Sequence, residues 1–266
     1  MAKPFLRWAG SKKRLIPELL TYWSKSEFTG YIEPFAGSAQ LLFKLNPKKR
    51  VLGDINGELT NTYIQIKTNP EKVFNKIQLI PHGKESYYKQ RSLDPAKINS
   101  IERSARFIFL NRYCFNGLYR TNLKGEFNVP FAGTKTGNLP TIDNLIEISN
   151  DLKDVTILND DFENVVSNYL DYGDFVYLDP PYAVSNSRVF RQYSLNTFGL
   201  EDLERMSNLL SRIDSQNCKF LVSYADCSEA YEFFGEWKLN KVNTQRFMKG
   251  FGKNRVETKE LLITNI

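Results

Sequence analysis

The run Phe175-Val176-Tyr177-Leu178-Asp179-Pro180-Pro181-Tyr182 decides the fold. Its first half is apolar and aromatic, as expected of a short buried strand. The two prolines end that strand, because proline fixes one backbone angle and cannot donate a backbone hydrogen bond. The sequence therefore places Asp179 at the carboxyl end of a buried strand, which is the edge where open α/β sheets bind their ligands.

Short runs of the same kind recur on both sides of this one. They cover residues 31–33, 50–52, 155–158 and 219–223. Helical patterns separate several of them, and in residues 200–213 apolar side chains recur at the spacing of one helix face. Two further runs, residues 238–242 and 260–264, flank a connection rich in Gly, Lys and Asn. The pattern predicts an α/β fold with a mostly parallel sheet and a terminal antiparallel hairpin.

Residues 69–140 differ from the rest of the chain. Helical patterns occupy residues 70–79 and 99–112, but no convincing strand lies between residues 69 and 152. The part from 111 to 140 is rich in Asn, Gly, basic and aromatic residues, a composition that suits a surface recognition loop better than a core element. We therefore expect a helical lobe at residues 69–140, inserted in an α/β domain formed by residues 1–68 and 141–266.

The composition limits the possible classes of protein. Of the 266 residues, 41% are hydrophobic and 25% are charged, which argues against a disordered or fibrous chain. No apolar run approaches a membrane span and no secretory signal is evident, so we expect a cytoplasmic protein. Lys and Arg outnumber Asp and Glu by 36 to 30, which suits a polyanionic partner. The three cysteines form no CxxC pair and there is one histidine, so we expect no metal site.

The strand-end motif has the groups needed to hold a planar amino-substituted base. The Asp179 carboxylate and the Pro180 carbonyl, held in a defined direction by the prolines, can accept two amino hydrogens. The ring of Tyr182 can stack on the base. A proline-rich loop with an incidental aspartate is the alternative interpretation, so the motif needs support from elsewhere in the chain.

Two earlier segments give that support. Residues 32–39 form a short apolar run that turns through Gly37 into a predicted helix, which would let the backbone approach a ligand. Asp54 follows the next strand, about where Rossmann-like sites bind ribose hydroxyls. Asp54 could instead cap the following helix.

Together these stretches resemble the adenine-N6 DNA methyltransferases of the bacterial and phage Dam type. The matching stretches are residues 7–12 (RWAGSK), residues 33–38 (EPFAGS) with Asp54, the segments from 111 to 131 (NR, FNGLYR and FNVPF) and residues 179–182 (DPPY). They occur in the family's order and span nearly the whole chain. The resemblance implies a Rossmann-like methyltransferase sheet, with residues 69–140 as an inserted target-recognition lobe in the catalytic domain.

The resemblance also implies roles for individual residues. The implied contacts to S-adenosyl-L-methionine are Trp8, Lys12, Asp54, Asp161, Phe162 and Asp179. The implied catalytic residues are Asp179, Pro180 and Tyr182. The implied contacts to double-stranded DNA are Arg7, Phe115, Asn116, Leu118, Arg120, Asn128 and Pro130. Arg120 is the candidate for bidentate recognition of a guanine, with a phosphate contact as its alternative role. Phe115 is the candidate wedge where the target base leaves the stack.

The implied reaction is methylation of N6 of an adenine that has been flipped out of the duplex. The family resemblance of residues 116–120 favours GATC as the target, although residues 132–137 depart from the GATC-methylating members. Two alternatives stay open at this point: methylation of an amino group on RNA or protein, and a catalytically silent DNA-binding regulator. The match at residues 111–130 speaks against the first, and the intact Asp179 and cofactor motifs speak against the second.

Overall fold

The computed structural model describes residues 3–24, 27–45, 47–183, 198–246 and 256–266. Seven strands form one sheet in the order β3-β2-β1-β4-β5-β7-β6. The strands are β1 (Gly30–Glu33), β2 (Lys49–Gly53), β3 (Val155–Leu158), β4 (Phe175–Leu178), β5 (Lys219–Ala225), β6 (Lys238–Arg246) and β7 (Val256–Thr264). Every predicted strand is present, so the α/β fold is confirmed.

The first five strands are parallel, and the last two form the predicted antiparallel hairpin. Strand β7 lies between β5 and β6 and runs antiparallel to both, with Ala225 of β5 opposite Glu260. The first half of β7 therefore meets the edge of the sheet where the parallel strands end. The connection between β6 and β7, residues 247–255, lies outside the described residues.

Helices cover both faces of the sheet. Their bounds are α1 (Ile16–Trp23), α2 (Gly57–Thr68), α3 (Pro70–Gln78), α4 (Lys84–Ser92), α5 (Ser100–Tyr113), α6 (Ile142–Leu152), α7 (Phe162–Tyr169), α8 (Leu200–Ser215) and α9 (Ser228–Phe234). Successive strand residues point to opposite faces, so Tyr177 packs with α1, α2 and α6, whereas Leu178 packs with α7 and α8. All four residues of β4 are buried, as its apolar sequence predicts.

The pattern in residues 200–213 correctly predicts α8. The side chains on its apolar face are all buried: Leu203, Met206, Leu209, Leu210 and Ile213. Before the first turn, the Gly199 N–H donates to the Asp202 carboxylate at 2.9 Å. This hydrogen bond gives the Gly199 N–H a partner that the backbone of the helix does not provide.

Residues 69–152, all of which the structure describes, contain four helices and no strand, as predicted. Helices α3 and α5 share the main core through Val73, Ile77 and Ile108. A smaller cluster beneath the segment after α5 includes Cys114 and Val129, which are both buried. The expectation of a purely surface loop at residues 111–140 is therefore wrong in part, because this segment has a core of its own.

One predicted element is absent. The chain after Gly37 was expected to enter a helix, but it makes only a three-residue 3₁₀ turn at Leu42–Lys44. Gly37 and Ala39 have φ of 45° and 48°, which no α-helix tolerates. Two residues in the left-handed region so close together bend the chain before a helix can begin.

In the described part of the chain, no helix combines the length and apolar character needed to cross a bilayer.

Candidate active site

A cavity of about 830 Å³ opens at the carboxyl edge of the sheet. The segments after β1, β2, β3 and β4 line it, together with the N-terminal segment and the start of α8. The structure brings together every predicted cofactor and catalytic residue at this cavity: Trp8, Lys12, Asp54, Asp161, Phe162, Asp179, Pro180 and Tyr182. Residues that are up to 174 positions apart in the sequence thus share one site.

Asp54 is held by backbone donors directly after β2. Its Oδ1 accepts from the Asn56 N–H at 2.9 Å, and its Oδ2 accepts from the Gly37 N–H at 3.2 Å. Burial raises the pKa of this carboxyl to about 6, although both backbone hydrogen bonds oppose the shift. The side chain that caps α2 is Asn56, which accepts from the N–H groups of Glu58 and Leu59. The capping role considered for Asp54 is therefore filled by another residue.

Gly37 allows the backbone to approach the Trp8 indole. A Cβ at Gly37 would lie 2.9 Å from Trp8 Cδ1, and the φ of 45° disfavours other residues in any case. The Tyr63 hydroxyl donates to the Gly37 carbonyl at 2.9 Å and fixes the turn from the core side. The structure shows the Trp8 indole as the neighbour that requires a glycine here, and the approach of this backbone to a ligand stays a prediction.

Aromatic rings form another wall of the cavity. Phe35 stacks on Phe162 with centroids 5.3 Å apart, and Phe198 packs against both rings. Asp161 caps α7 by accepting from the Glu163 N–H at 3.0 Å, and it forms an ion pair with Arg205. The guanidinium of Arg205 also lies 4.7 Å above the Phe162 ring. This part of the wall is thus an aromatic surface with an oriented carboxylate beside it.

Asp179 forms a close ion pair with Lys12. The Lys12 Nζ lies 2.5 Å from Asp179 Oδ1, and the lysine side chain is only 7% exposed, compared with 22% for the aspartate. The Lys12 Nζ also donates to the Gly10 carbonyl at 3.1 Å. Sequence analysis placed both side chains in the site but did not predict that they pair. A buried cation beside Asp179 offsets the cost of keeping its carboxylate charged at the cavity wall.

Two buried acids at this site escaped sequence analysis. Glu33 ends β1 with a 3% exposed side chain that accepts from the Tyr31 hydroxyl at 2.9 Å. Burial raises the pKa of Glu33 to about 8, and the negative charge of Asp179 adds to the shift. Glu260, on β7, accepts from the Tyr182 hydroxyl at 2.8 Å. The position of Glu260 as the first residue of an otherwise apolar run was the available signal, since a charged residue that adjoins a buried run indicates a site.

The predicted DNA contacts after α5 lie on a separate surface from the cavity lining. Phe115 and Asn116 are exposed, and Asn116 adopts a φ of 57°. The Phe115 N–H donates to the Pro130 carbonyl at 2.9 Å. The Arg120 Nε donates to Asn128 Oδ1 at 2.7 Å, beside an isolated bridge between residues 121 and 127. Leu118 is half-buried and packs on the small cluster beneath.

Arg7 and Trp8 connect this surface with the cavity. The buried Asn111 side chain bonds both backbone groups of Arg7: its Oδ1 accepts from the N–H at 2.9 Å, and its Nδ2 donates to the carbonyl at 2.6 Å. The Arg7 guanidinium donates to the Arg112 carbonyl at 3.2 Å. Trp8 stacks on Tyr119 with centroids 6.1 Å apart.

Comparison with known proteins decides the family. Residues 8–248 match the family described as D12 class N6 adenine-specific DNA methyltransferase. The chain belongs to this family. Adenine-specific DNA methylation is therefore its class of activity, and the resemblance found in the sequence is confirmed. The alternatives of an RNA or protein methyltransferase and of a silent regulator are set aside by this match.

Relatives of the D12-class chain cover nearly its whole length. The type II methyltransferase M1.LlaDCHI of Lactococcus lactis subsp. cremoris is 34% identical over 99% of this chain and 95% of the relative. The DNA adenine methylase of Haemophilus influenzae is 32% identical over 98% of this chain and 92% of the relative. That of Escherichia coli K12 is 28% identical over 98% of this chain and 94% of the relative. These relatives thus include both type II methyltransferases and DNA adenine methylases.

The described residues of this methyltransferase contain no group of three or more His, Cys, Asp or Glu side chains arranged to hold a metal ion. The chemistry of the cavity described above comes from carboxylates, one buried lysine, backbone groups and aromatic rings.

Proposed function

We propose that the protein transfers a methyl group from S-adenosylmethionine to N6 of an adenine flipped out of duplex DNA, with GATC as the target. The observation that supports this most strongly is the cavity itself. Asp179 and Pro180 lie at one part of its wall, and Asp54, Trp8 and the Phe162 ring lie at other parts of the same wall. A site for an amino group and a site for a nucleoside thus share one enclosure.

The residues of the cavity fit S-adenosylmethionine. The aromatic surface formed by Phe35 and Phe162, with Asp161 beside it, suits an adenine ring and its amino group. Asp54 offers carboxylate oxygens to ribose hydroxyls. Gly37 and Trp8 both line the cavity, and because a Cβ at Gly37 would strike the indole, the glycine allows the Trp8 ring to lie at the cavity wall. When bound, S-adenosylmethionine supplies a methyl group on a positively charged sulfur.

The chain's own residues would prepare the target amino group. Asp179 and the Pro180 carbonyl accept its two hydrogens, which favours a lone pair localised on nitrogen rather than delocalised into the ring. Tyr182 stacks on the base and fixes its plane. The new N–C bond would replace the bond between the methyl carbon and sulfur, and one N–H bond of the amino group would break. The Asp179 carboxylate, which accepts a hydrogen bond from this amino group, would take the proton. Orientation and electrostatics supply the acceleration, with no covalent intermediate on the enzyme.

The loop surface that carries Phe115, Arg120 and Asn128 supports DNA as the partner, because it is exposed and combines an aromatic wedge with a guanidinium. Arginine is the most frequent reader of guanine in the major groove. The Arg120–Asn128 hydrogen bond holds the guanidinium in one orientation, which lowers the entropy cost of bidentate recognition. This arrangement favours base recognition over a phosphate contact.

The decisive experiment sequences DNA from cells that express the protein with a method that detects modified bases and their context. We expect N6-methyladenine in nearly every GATC and none with Asp179→Ala. Methylation in another context would contradict the assigned target but leave the chemistry standing. Transfer from labelled S-adenosylmethionine to RNA or protein, and not to DNA, would contradict the proposal.

A further inference from the structure

Glu260 is a charged residue in a place that favours apolar ones. It is 2% exposed and begins a run of buried apolar residues on β7, between Ala225 of β5 and Val242 of β6. A buried carboxylate costs several kcal/mol of solvation, and an apolar residue in its place is often at least as stable. Its presence at the catalytic edge of the sheet therefore calls for a role beyond holding the fold together.

Two contacts connect Glu260 to the predicted catalytic residues. Its Oε1 accepts from the Tyr182 hydroxyl at 2.8 Å, and the same oxygen lies 3.9 Å from Lys12 Nζ. Lys12 in turn bonds Asp179 at 2.5 Å. Glu260 thus contacts the last residue of the Asp179–Tyr182 motif directly and reaches the first residue through one lysine.

Contacts with Tyr224 and Glu260 restrain the Tyr182 ring. The Tyr182 and Tyr224 rings pack edge to face, with centroids 5.2 Å apart and an angle of 84° between the planes. The Tyr182 hydroxyl is held by Glu260. The Tyr224 hydroxyl also accepts from the Ala183 N–H at 2.8 Å, so the backbone after the motif is fixed independently of Glu260. Loss of the carboxylate would therefore remove the restraint on the Tyr182 hydroxyl without releasing the loop.

We propose that Glu260 is a positioning residue for methyl transfer: it holds the Tyr182 ring in the plane that stacks on the target adenine. The inference rests on the proposed function, since it requires that Tyr182 stacks on the base. Glu260 itself touches neither the base nor the reacting atoms. It acts through the Tyr182 hydroxyl, with a smaller electrostatic effect on Lys12.

The test compares Glu260→Ala, Glu260→Gln and Tyr182→Phe with the wild-type protein on a duplex that contains the target site. Glu260→Ala should lower kcat by about ten- to hundredfold, because a group that orients a reactant is then misplaced. The KM for S-adenosylmethionine should stay within about twofold of the wild-type value. Glu260→Gln should recover much of this loss, because an amide oxygen still accepts from the hydroxyl. The double variant Glu260→Ala/Tyr182→Phe should be no slower than the slower single variant, since both remove one hydrogen bond.

A spectroscopic measurement separates positioning from general damage. The target adenine is replaced by 2-aminopurine, whose fluorescence is quenched by stacking, in the complex with S-adenosylhomocysteine. Glu260→Ala should lengthen the fluorescence lifetime of the flipped base. The matched control is Thr264→Val, which removes a buried hydrogen bond to the Phe220 carbonyl from the same strand, away from the cavity. It should lower the melting temperature without changing the lifetime or kcat.

The possible failures can be distinguished. Full activity of Tyr182→Ala would overturn the stacking role of Tyr182 and with it this inference. If Tyr182→Ala is impaired but Glu260→Ala keeps its kcat and lifetime, or if the effects of Glu260→Ala and Tyr182→Phe multiply, then the positioning role alone is overturned. Equal changes in Thr264→Val and Glu260→Ala would reduce Glu260 to a structural residue.

Discussion

At the scale of single residues, the chemistry of the site depends on carboxylates that differ in surroundings. Asp179 has a lysine partner, Asp54 has backbone donors, and Glu33 has a tyrosine hydroxyl in the protein interior. Burial raises the pKa of Asp54 to about 6 and that of Glu33 to about 8. The charge of the cavity thus depends on pH across the physiological range.

Asp179→Ala should abolish methyl transfer while leaving DNA affinity within a few fold, because contacts to phosphates supply most of the binding. Asp179→Asn should also be severely impaired, since an amide is a weaker acceptor and leaves Lys12 without its negative partner at 2.5 Å. Single-turnover rates and DNA binding in the same buffer check both expectations. Turnover close to the wild-type rate in Asp179→Ala would exclude the proposed mechanism.

Asp54 should make cofactor binding depend on pH. Its pKa lies near 6, so lowering the pH through 6 protonates the carboxylate that would accept the ribose hydroxyls. The Kd for S-adenosylmethionine should therefore rise below pH 6 and approach a tenfold increase per pH unit. Asp54→Asn should bind about tenfold more weakly at pH 7.5, the size of a lost charge-assisted hydrogen bond, and show a flat profile.

Calorimetry between pH 5 and 7 measures this profile in a window below the titration of Glu33. Glu33→Gln is the control, and it should keep the wild-type slope in that window. An unchanged Kd in Asp54→Asn would remove Asp54 from the cofactor site.

At the scale of structural elements, one buried side chain of α5, that of Asn111, binds both backbone groups of Arg7 in the N-terminal segment. Arg112 of the same helix adds hydrogen bonds to this segment. Asn111→Ala removes both of its hydrogen bonds to Arg7 and leaves two backbone groups without that partner, which should cost about 1–3 kcal/mol of unfolding free energy. Because Trp8 and Arg7 follow this attachment, affinity for cofactor and DNA should both fall. Thermal unfolding and binding measurements check the result.

Asn144→Ala is the matched control, since Asn144 bonds the Lys3 carbonyl at an exposed position. It should change the melting temperature and both affinities little. An equal effect of the two variants would mean that the attachment through Asn111 has no special importance.

The hairpin-like segment that carries Arg120 leads to a prediction about specificity. If Arg120 reads a guanine, Arg120→Ala should cost about 1–3 kcal/mol of discrimination at one base pair, and methylation should spread to sites altered there. Asn128→Ala, which removes the support of the guanidinium, should show a weaker form of the same change. Methylation rates on duplexes that are each altered at one position measure this. If the methylation rate instead falls by the same factor on every duplex, and the slope of log affinity against log salt concentration shrinks by about one unit, Arg120 contacts a phosphate.

Elements were predictable where one periodicity governs a stretch of sequence. The strands β1 to β5 follow directly from short apolar runs, and α8 follows from the helical spacing of its apolar residues. The turn after β1 was not, because its shape comes from left-handed φ angles at Gly37 and Ala39 and from the neighbouring Trp8 ring, which lies far away in sequence. When a side chain that is distant in sequence determines the backbone conformation, the local sequence carries no pattern that predicts it.

At the scale of the whole molecule, the cavity was predictable from topology, since the ends of parallel strands must meet at one edge. The site residues on those strand ends were found by their position and by family resemblance. Glu260 was not, because its strand runs the opposite way and presents its beginning to the same edge. The Lys12–Asp179 pair depends on how the segment before α1 folds back, which spacing along the chain does not encode.

The position of β7 between β5 and β6 has a consequence for synthesis on the ribosome. Strands β1 to β5 emerge first, but β5 cannot pair on its free side until residues 256–264 arrive and insert between β5 and β6. A nascent or prematurely terminated chain would therefore present the open edge of an apolar strand, a template for aggregation. The same chain would lack Glu260. Translation must therefore proceed through β7 before the edge of β5 is covered and Glu260 is in place for the proposed methyl transfer.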